Sequence, residues 1–151
     1  LLQQAFGHKL LFNQLQMSVV HSPLVDSGMA VNMNIDQSID RTGSTLEYCR
    51  LHHITIQAWS PFQKGFFGGP CLGVMEQYAE LNRMCEELAE KYSVTPTSIA
   101  VAWLTRHPAN IQVILGTTKV SRMLEGCAGS QIPLTREEWY GLYKAAGNMV
   151  P

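Results

Sequence analysis

Ile111-Gln112-Val113-Ile114-Leu115 runs directly into Gly116-Thr117-Thr118-Lys119-Val120-Ser121-Arg122, and the fold class turns on this passage. Its first five residues are short and almost wholly apolar, the pattern of a strand buried on both faces in a parallel sheet. Gly116-Thr117-Thr118 supplies a turn, and a helix is expected from Val120 to Gly126.

The same alternation extends outward in both directions. Upstream, Thr95-Pro96 pairs an N-cap residue with proline at the first helical position. The helix it opens carries Ile99, Val101, Ala102, Trp103 and Leu104, and should stop near His107, before Pro108. Ahead of it, Tyr78, Leu81, Cys85, Leu88 and Tyr92 recur at helical spacing and mark one apolar stripe. Ile54 to Trp59 is rich in β-branched residues and reads as a strand. Ser44-Thr45-Leu46-Glu47 has the capping-box pattern, so a short helix is expected to about His52. Phe12 to Ser18 alternates apolar and polar, the period of a strand. Downstream, Thr135 and Glu138 form a second capping box before Trp139, Leu142, Tyr143 and Ala146. Strand, helix, strand, helix pair, strand and two helices imply parallel strands joined by right-handed crossovers. Val19 to Gly43 is too long for an ordinary connection of about 4–6 residues, and long loops after strands often carry function.

Composition narrows the function classes. The 151 residues are 46% hydrophobic, ample for the core of one domain. Eleven basic against twelve acidic residues leave a formal charge of −1, which argues against a surface built for nucleic-acid phosphates. No apolar run approaches the ~20 residues of a membrane helix. The opening Leu1-Leu2-Gln3-Gln4 is not a signal peptide and has no initiating Met, so a processed chain or a piece of a longer one is expected. Cys49, Cys71, Cys85 and Cys127 include no CxxC pair and no zinc-ligand spacing, and read as reduced thiols of a cytoplasmic protein.

Chemistry concentrates after the strands. Gly116 to Arg122 offers backbone N–H groups at a helix start, two hydroxyls, Lys119 and Arg122, which suits a phosphate, though a capped helix with two solvated charges has the same pattern. Neither a Walker motif nor GxGxxG is present. Trp59-Ser60-Pro61-Phe62-Gln63-Lys64-Gly65-Phe66-Phe67-Gly68-Gly69 offers an aromatic face to a flat ring and glycines for close approach or a flap. Equally, Trp59 could cap a core above a plain loop. Gln14 could bond an amide, or simply meet backbone or water. His21 is a candidate acid or base, whereas His52-His53 sits where a helix C-terminus favours a cation. Trp103 and Trp139 lie on apolar helix faces and belong to the core.

Three parallel strands cannot close a barrel, and a (β/α)8 barrel takes about 250 residues, with ligands at the strand C-termini. Asn13-Gln14, then Ala58-Trp59-Ser60-Pro61-Phe62, then Leu115-Gly116-Thr117-Thr118-Lys119-Val120-Ser121-Arg122-Met123-Leu124-Glu125 occur in the order seen in aldo-keto reductases. Leu88 to Pro96 and Ile99 to Pro108 are similar to that family's LAEKYGVSP…ALAWLLRHP stretch, and Leu134 to Tyr140 resembles its YdhF-like bacterial oxidoreductase branch. The resemblance spans about residues 5–151.

What it implies is the C-terminal part of a TIM barrel, strands six to eight with their helices, forming one incomplete domain over residues 1–151. It also implies an NADPH-dependent reductase of aldehydes or ketones. Gln14 would bond the nicotinamide carboxamide and Trp59 would stack on the ring. Ser60, Pro61, Phe62, Gln63 and Lys64 would follow the pyrophosphate. Gly116, Thr117, Thr118, Lys119 and Arg122 would grip the adenosine 2′-phosphate, with Glu125 on the adenine side. An arginine there favours NADP over NAD. Three positions depart from the family: Gln16 replaces a glutamate, Gly116 the lysine of some branches, and Gly126 a frequent asparagine. The family's tyrosine acid and its lysine, aspartate and histidine partners match nothing here, so catalysis is expected to need upstream sequence of the same barrel. The expected partners are that sequence and a small carbonyl substrate, with neither nucleic acid nor membrane. Two alternatives share the pattern: a cofactor-holding module of the potassium-channel β-subunit type, and the phosphate-binding end of another TIM barrel.

Overall fold

The structure is a computed structural model describing residues 2–65 and 67–151. Three parallel strands form its sheet in the order β1 (Phe12–Gln16), β2 (Thr55–Trp59), β3 (Gln112–Val113). Helix α1 (Leu2–Ala5) precedes β1. Helices α2 (Pro23–Met29) and α3 (Thr45–Leu51) lie between β1 and β2. Helices α4 (Met75–Tyr92) and α5 (Pro96–Thr105) lie between β2 and β3, and α6 (Val120–Gly129) and α7 (Arg136–Ala145) follow. The α/β order expected from the sequence is therefore present.

Two helix starts follow from their caps. Thr95 accepts a hydrogen bond from the Ser98 N–H. Thr135 accepts from Glu138 N–H while the Glu138 carboxylate accepts from Thr135 N–H, a complete capping box. Each such cap contributes about 1 kcal/mol. The box expected at Ser44 does not form. The Asp40 carboxylate accepts from the N–H and hydroxyl of both Thr42 and Ser44, and Ser44 sits at φ +54°. These four bonds hold the Asp40 carboxyl down at about 2. The helix still begins at Thr45, without a side-chain cap.

Residues 19–43 are not one structureless loop either. Pro23 starts α2, and a 3₁₀ turn spans Asp36–Ser38. Ser22 hydrogen-bonds the Asp26 carboxylate at 2.8 Å, and Asp26 accepts the Tyr143 hydroxyl at 2.7 Å, which ties α2 to α7.

One face of the sheet is covered and the other is open. Ile56 and Ala58 are fully buried on the covered face, together with Trp103, Ile99 and Leu104 from α5. The opposite face carries Phe12, Gln14, Gln57 and Gln112, and there Phe12 is 56% exposed. This corrects the expectation for 111–115. The strand there is only Gln112–Val113, and Gln112 is exposed, because helix covers it on one side alone. Asn82 explains the join between the β2 loop and α4. Its amide donates to the carbonyls of Cys71, Val74 and Tyr78 and accepts from Gly73 N–H, across a break in helical geometry at Tyr78.

Candidate functional site

A groove of about 540 Å³ opens at the C-terminal ends of β2 and β3. Trp59, Ser60, Pro61, Phe62 and Gln63 form one wall, continuing from β2. Ile114, Leu115, Gly116 and Thr117 continue from β3, and Arg122 and Glu125 reach in from the first turns of α6. Pro70, Leu72 and Thr97, which sequence reading did not single out, complete the lining. The carboxyl ends of parallel strands are where α/β folds place ligands.

Backbone geometry shapes both walls. Ser60 has φ +50° and Gly116 φ +64°, so the chain turns sharply as it leaves each strand. After Ser60 the loop folds back on itself: Cys71 N–H donates to Phe62 O at 2.8 Å and Lys64 N–H to Gly69 O at 3.1 Å. The buried Ser18 hydroxyl donates to Gln63 O at 2.7 Å, tying the segment after β1 to the loop after β2. The loop is thus pinned at both ends; Phe66, within the stretch quoted above, lies outside the described residues.

The start of α6 differs from those of α5 and α7. No side chain caps it, and Thr117 Oγ1 accepts only the Lys119 N–H, at 3.2 Å. First-turn N–H groups therefore face solvent beside Arg122, whose guanidinium has no side-chain partner among the described residues. Lys64, Thr118 and Lys119 lie beside the groove region in sequence but do not line it, and all three are exposed.

Gln14 is not in the groove. It sits mid-strand on the open sheet face, where its Nε2 donates to Gln57 Oε1 at 3.0 Å. Gln16, two residues on, is paired in register with Trp59, and its buried Nε2 has no hydrogen-bond partner among the described residues. Sequence reading missed Gln57 and Gln112. The available signal was a glutamine within each of the three strands.

Other reactive groups are held out of play. Burial pushes the Cys71 and Cys85 thiols up to about 11 and about 12, so both stay protonated at neutral pH. All four cysteines are free. Burial lowers the pKa of the half-buried His21, partly offset by Asp26, and favours the neutral ring. Among the described residues no acidic, histidine and cysteine cluster is placed to hold a metal ion, and no helix is long and apolar enough to cross a membrane.

The family model described as "Aldo/keto reductase family" matches residues 3–145. A 6-dehydroglucose reductase of Agrobacterium fabrum is 31% identical over 147 residues, covering 97% of this chain and 42% of its own length. The oxidoreductase YdhF of Escherichia coli is 25% identical over the same length, with the same coverage. The crystal structure of a Gox0644 variant in complex with NADPH superposes with a TM-score of 0.60 at 17% identity, covering 95% of this chain and 41% of that one. The chain thus spans about two fifths of the length of the curated relatives it matches.

Proposed function

This chain belongs to the aldo/keto reductase family, and from that premise we propose that it forms the cofactor-gripping end of an NADPH-dependent oxidoreductase that reduces aldehydes or ketones to alcohols. The observation that carries this reading is the single groove in which Trp59 and Arg122, separated in sequence by α4, α5 and β3, line the same space. In this reading residues 1–151 are strands six to eight of one barrel domain. The open sheet face, with its exposed Phe12 and glutamines, supports further strands covering it.

The residues present fit a phosphorylated dinucleotide. Arg122 and the uncapped start of α6 supply cationic and N–H donors for a phosphate. Trp59 supplies a flat apolar wall, and the orphaned Gln16 Nε2 beside it is a donor lacking an acceptor, which a carboxamide oxygen would satisfy. Gln14 presents a second amide on the same face. Ser60, Pro61, Phe62, Gln63 and Lys64 would follow the pyrophosphate, and Gly116, Thr117, Thr118 and Lys119 would surround the phosphate held by Arg122. Glu125 would meet the adenine side.

When bound, the nicotinamide would supply hydride chemistry, with Trp59 at its ring and the Gln16 amide beside it. This chain's residues would orient the ring. The proton for the carbonyl oxygen comes from a group outside these residues: Tyr143, for example, already donates its hydroxyl to Asp26. The free cysteines support a cytoplasmic setting. The partners in this reading are the rest of the barrel and a small carbonyl compound, and a net charge of −1 speaks against nucleic acid.

The test is direct. The full-length protein should bind NADPH and oxidise it with a reactive aldehyde, whereas the 151 residues alone should give no turnover. Absence of NADPH binding by the full-length protein overturns the reading. Tight binding without turnover would favour the cofactor-holding module instead.

A further inference from the structure

A second cleft, of about 280 Å³, lies among the helices on the covered side of the sheet. Met29 from α2, Arg106 and His107 from just after α5, and Arg136, Trp139 and Tyr140 from α7 line it. It stands apart from the groove already described: Arg106 and His107 precede β3, whereas the groove opens where β3 ends.

The lining is one-sided in charge. Two guanidinium groups and no carboxylate border the cleft, although the chain as a whole carries a net charge of −1. Neither arginine has an ion-pair partner among the described residues. Arg106 Nε donates to Leu134 O at 3.0 Å, which anchors the side chain and leaves its two terminal nitrogens unused. Arg136 is exposed, and its guanidinium carbon lies 5.7 Å from the centre of the Tyr140 ring. The Glu137 carboxylate senses the Arg136 charge but stays beyond ion-pair distance. His107 adds a third donor. Its Nδ1 accepts the Ala109 N–H, so the proton of the neutral ring sits on Nε2, which has no acceptor among the described residues. The Arg50 charge beside His107 raises the positive potential further.

The remaining walls are flat and apolar. Trp139 and Tyr140 meet edge to face with ring centroids 5.2 Å apart, and Met29 faces the same space. The Trp139 N–H is already committed to Trp103 O, so Trp139 offers the cleft only ring surface.

We infer that this cleft is a binding site for a small aromatic carboxylate, distinct from the dinucleotide groove. A carboxylate presents two acceptors to the planar guanidinium donors of Arg106 and Arg136. Its ring rests against Trp139, Tyr140 and the thioether of Met29. The volume is at the small end of ligand cavities, which span about 300–1,000 Å³, and suits a single ring. Packing alone gives no reason for an arginine at 136, because no protein group pairs with it.

The experiment is a chemical-shift titration of the isotopically labelled full-length protein with benzoate. Signals of Trp139 and Tyr140 should move as benzoate binds. Benzyl alcohol keeps the ring without the charge and acetate the charge without the ring, so each should bind about tenfold more weakly or worse. Arg136→Ala should weaken benzoate binding about tenfold, through loss of a hydrogen bond between charged groups. Since Arg136 is exposed and unpaired, that variant should fold and bind NADPH as the wild type does. Arg106→Ala is the second variant and should weaken benzoate binding in the same direction. Benzoate affinity that survives both variants, shifts confined to groove residues such as Trp59, or acetate or inorganic phosphate binding as tightly as benzoate would each overturn the site. Absence of NADPH binding by the wild type would overturn the cofactor reading and leave this inference standing.

Discussion

Trp103 and Trp139 hold each other twice over. Their rings stack with centroids 4.9 Å apart and 7° between planes. Each indole N–H donates to the other residue's backbone carbonyl, Trp103 Nε1 to Trp139 O at 3.1 Å and Trp139 Nε1 to Trp103 O at 2.8 Å. The pair joins α5 to α7 through the centre of the core, and Tyr143 stacks on both rings. Trp103→Phe keeps an aromatic but removes one N–H and leaves a void. It should destabilise by about 2–4 kcal/mol, combining a lost buried hydrogen bond with a cavity. Urea denaturation followed by circular dichroism measures this. A loss under about 1 kcal/mol would mean the reciprocal bonds matter little.

Two glycines make opposite predictions. A Cβ at Gly129 would stand 2.4 Å from Ser98 O and 2.7 Å from Val101 Cβ, both on α5. The close approach of α6 to α5 needs that hydrogen, and Ser98 Oγ–H secures it by donating to Glu125 O at 2.7 Å. Gly129→Ala should therefore cost about 1–3 kcal/mol as overpacking. It should also displace α6 and weaken dinucleotide binding, since Arg122 and Glu125 ride on that helix. At Gly28, an exposed position on α2, a Cβ would meet nothing within 4 Å. Gly28→Ala should stabilise by about 0.5–1 kcal/mol through helix propensity. Melting temperatures that move in the same direction for both variants would contradict this account.

Local chemistry made some elements legible and hid others. Thr95-Pro96 and Thr135 with Glu138 announced α5 and α7 because each threonine hydroxyl does accept the N–H three residues on. Ser44 carried the same signal, but Asp40, four residues earlier, outbids it for the Ser44 N–H and hydroxyl. Residues 19–43 read as one connection because α2 lacks a side-chain cap: the Ser22 hydroxyl serves Asp26 and not the helix backbone. Ile111 to Leu115 read as doubly buried because periodicity cannot say whether a second layer covers an apolar run. The groove was legible in outline, since motifs at two strand ends converge only if the strands are parallel and adjacent. The pairing of Gln57 with Gln14 was not, because register is invisible along one strand.

His107 predicts how stability responds to acid. Burial chiefly, with the Arg50 charge beside it, lowers its pKa to about 4, and its Nδ1 accepts the Ala109 N–H. In the unfolded chain the same ring titrates near 6.5. Between these values the unfolded state binds more protons, so stability is fully present above about 6.5 and declines as the pH falls toward 4. Allowing for the partly exposed ring, His107 should account for a loss on the order of 2 kcal/mol over this window. His107→Asn, which retains an acceptor for Ala109, should show a shallower decline from pH 7 to 4.5. The comparison with wild type is needed because Asp26, whose pKa burial raises, contributes with the opposite sign. Parallel pH profiles for the two proteins would exclude His107 as the source.

Arg122 gives the sharpest functional test. It stands on the first turn of α6 where no side chain caps the helix, lines the groove, and has no ion-pair partner among the described residues. If it holds the 2′-phosphate, its removal must be felt by only one of two otherwise identical ligands. A hydrogen bond to a charged group is worth about 1.5–3 kcal/mol, so Arg122→Ala should weaken NADPH binding by about 10- to 100-fold and leave NADH nearly unchanged. Arg122→Lys should fall between, because a lysine preserves the charge but not the planar two-pronged contact. Raising the salt concentration should weaken NADPH binding to wild type more than to Arg122→Ala, since only the former retains the charge pair. Lys119→Ala should have a smaller effect, as Lys119 stands outside the groove lining. An equal loss of affinity for both dinucleotides in Arg122→Ala would instead assign Arg122 to the pyrophosphate, or to the integrity of α6.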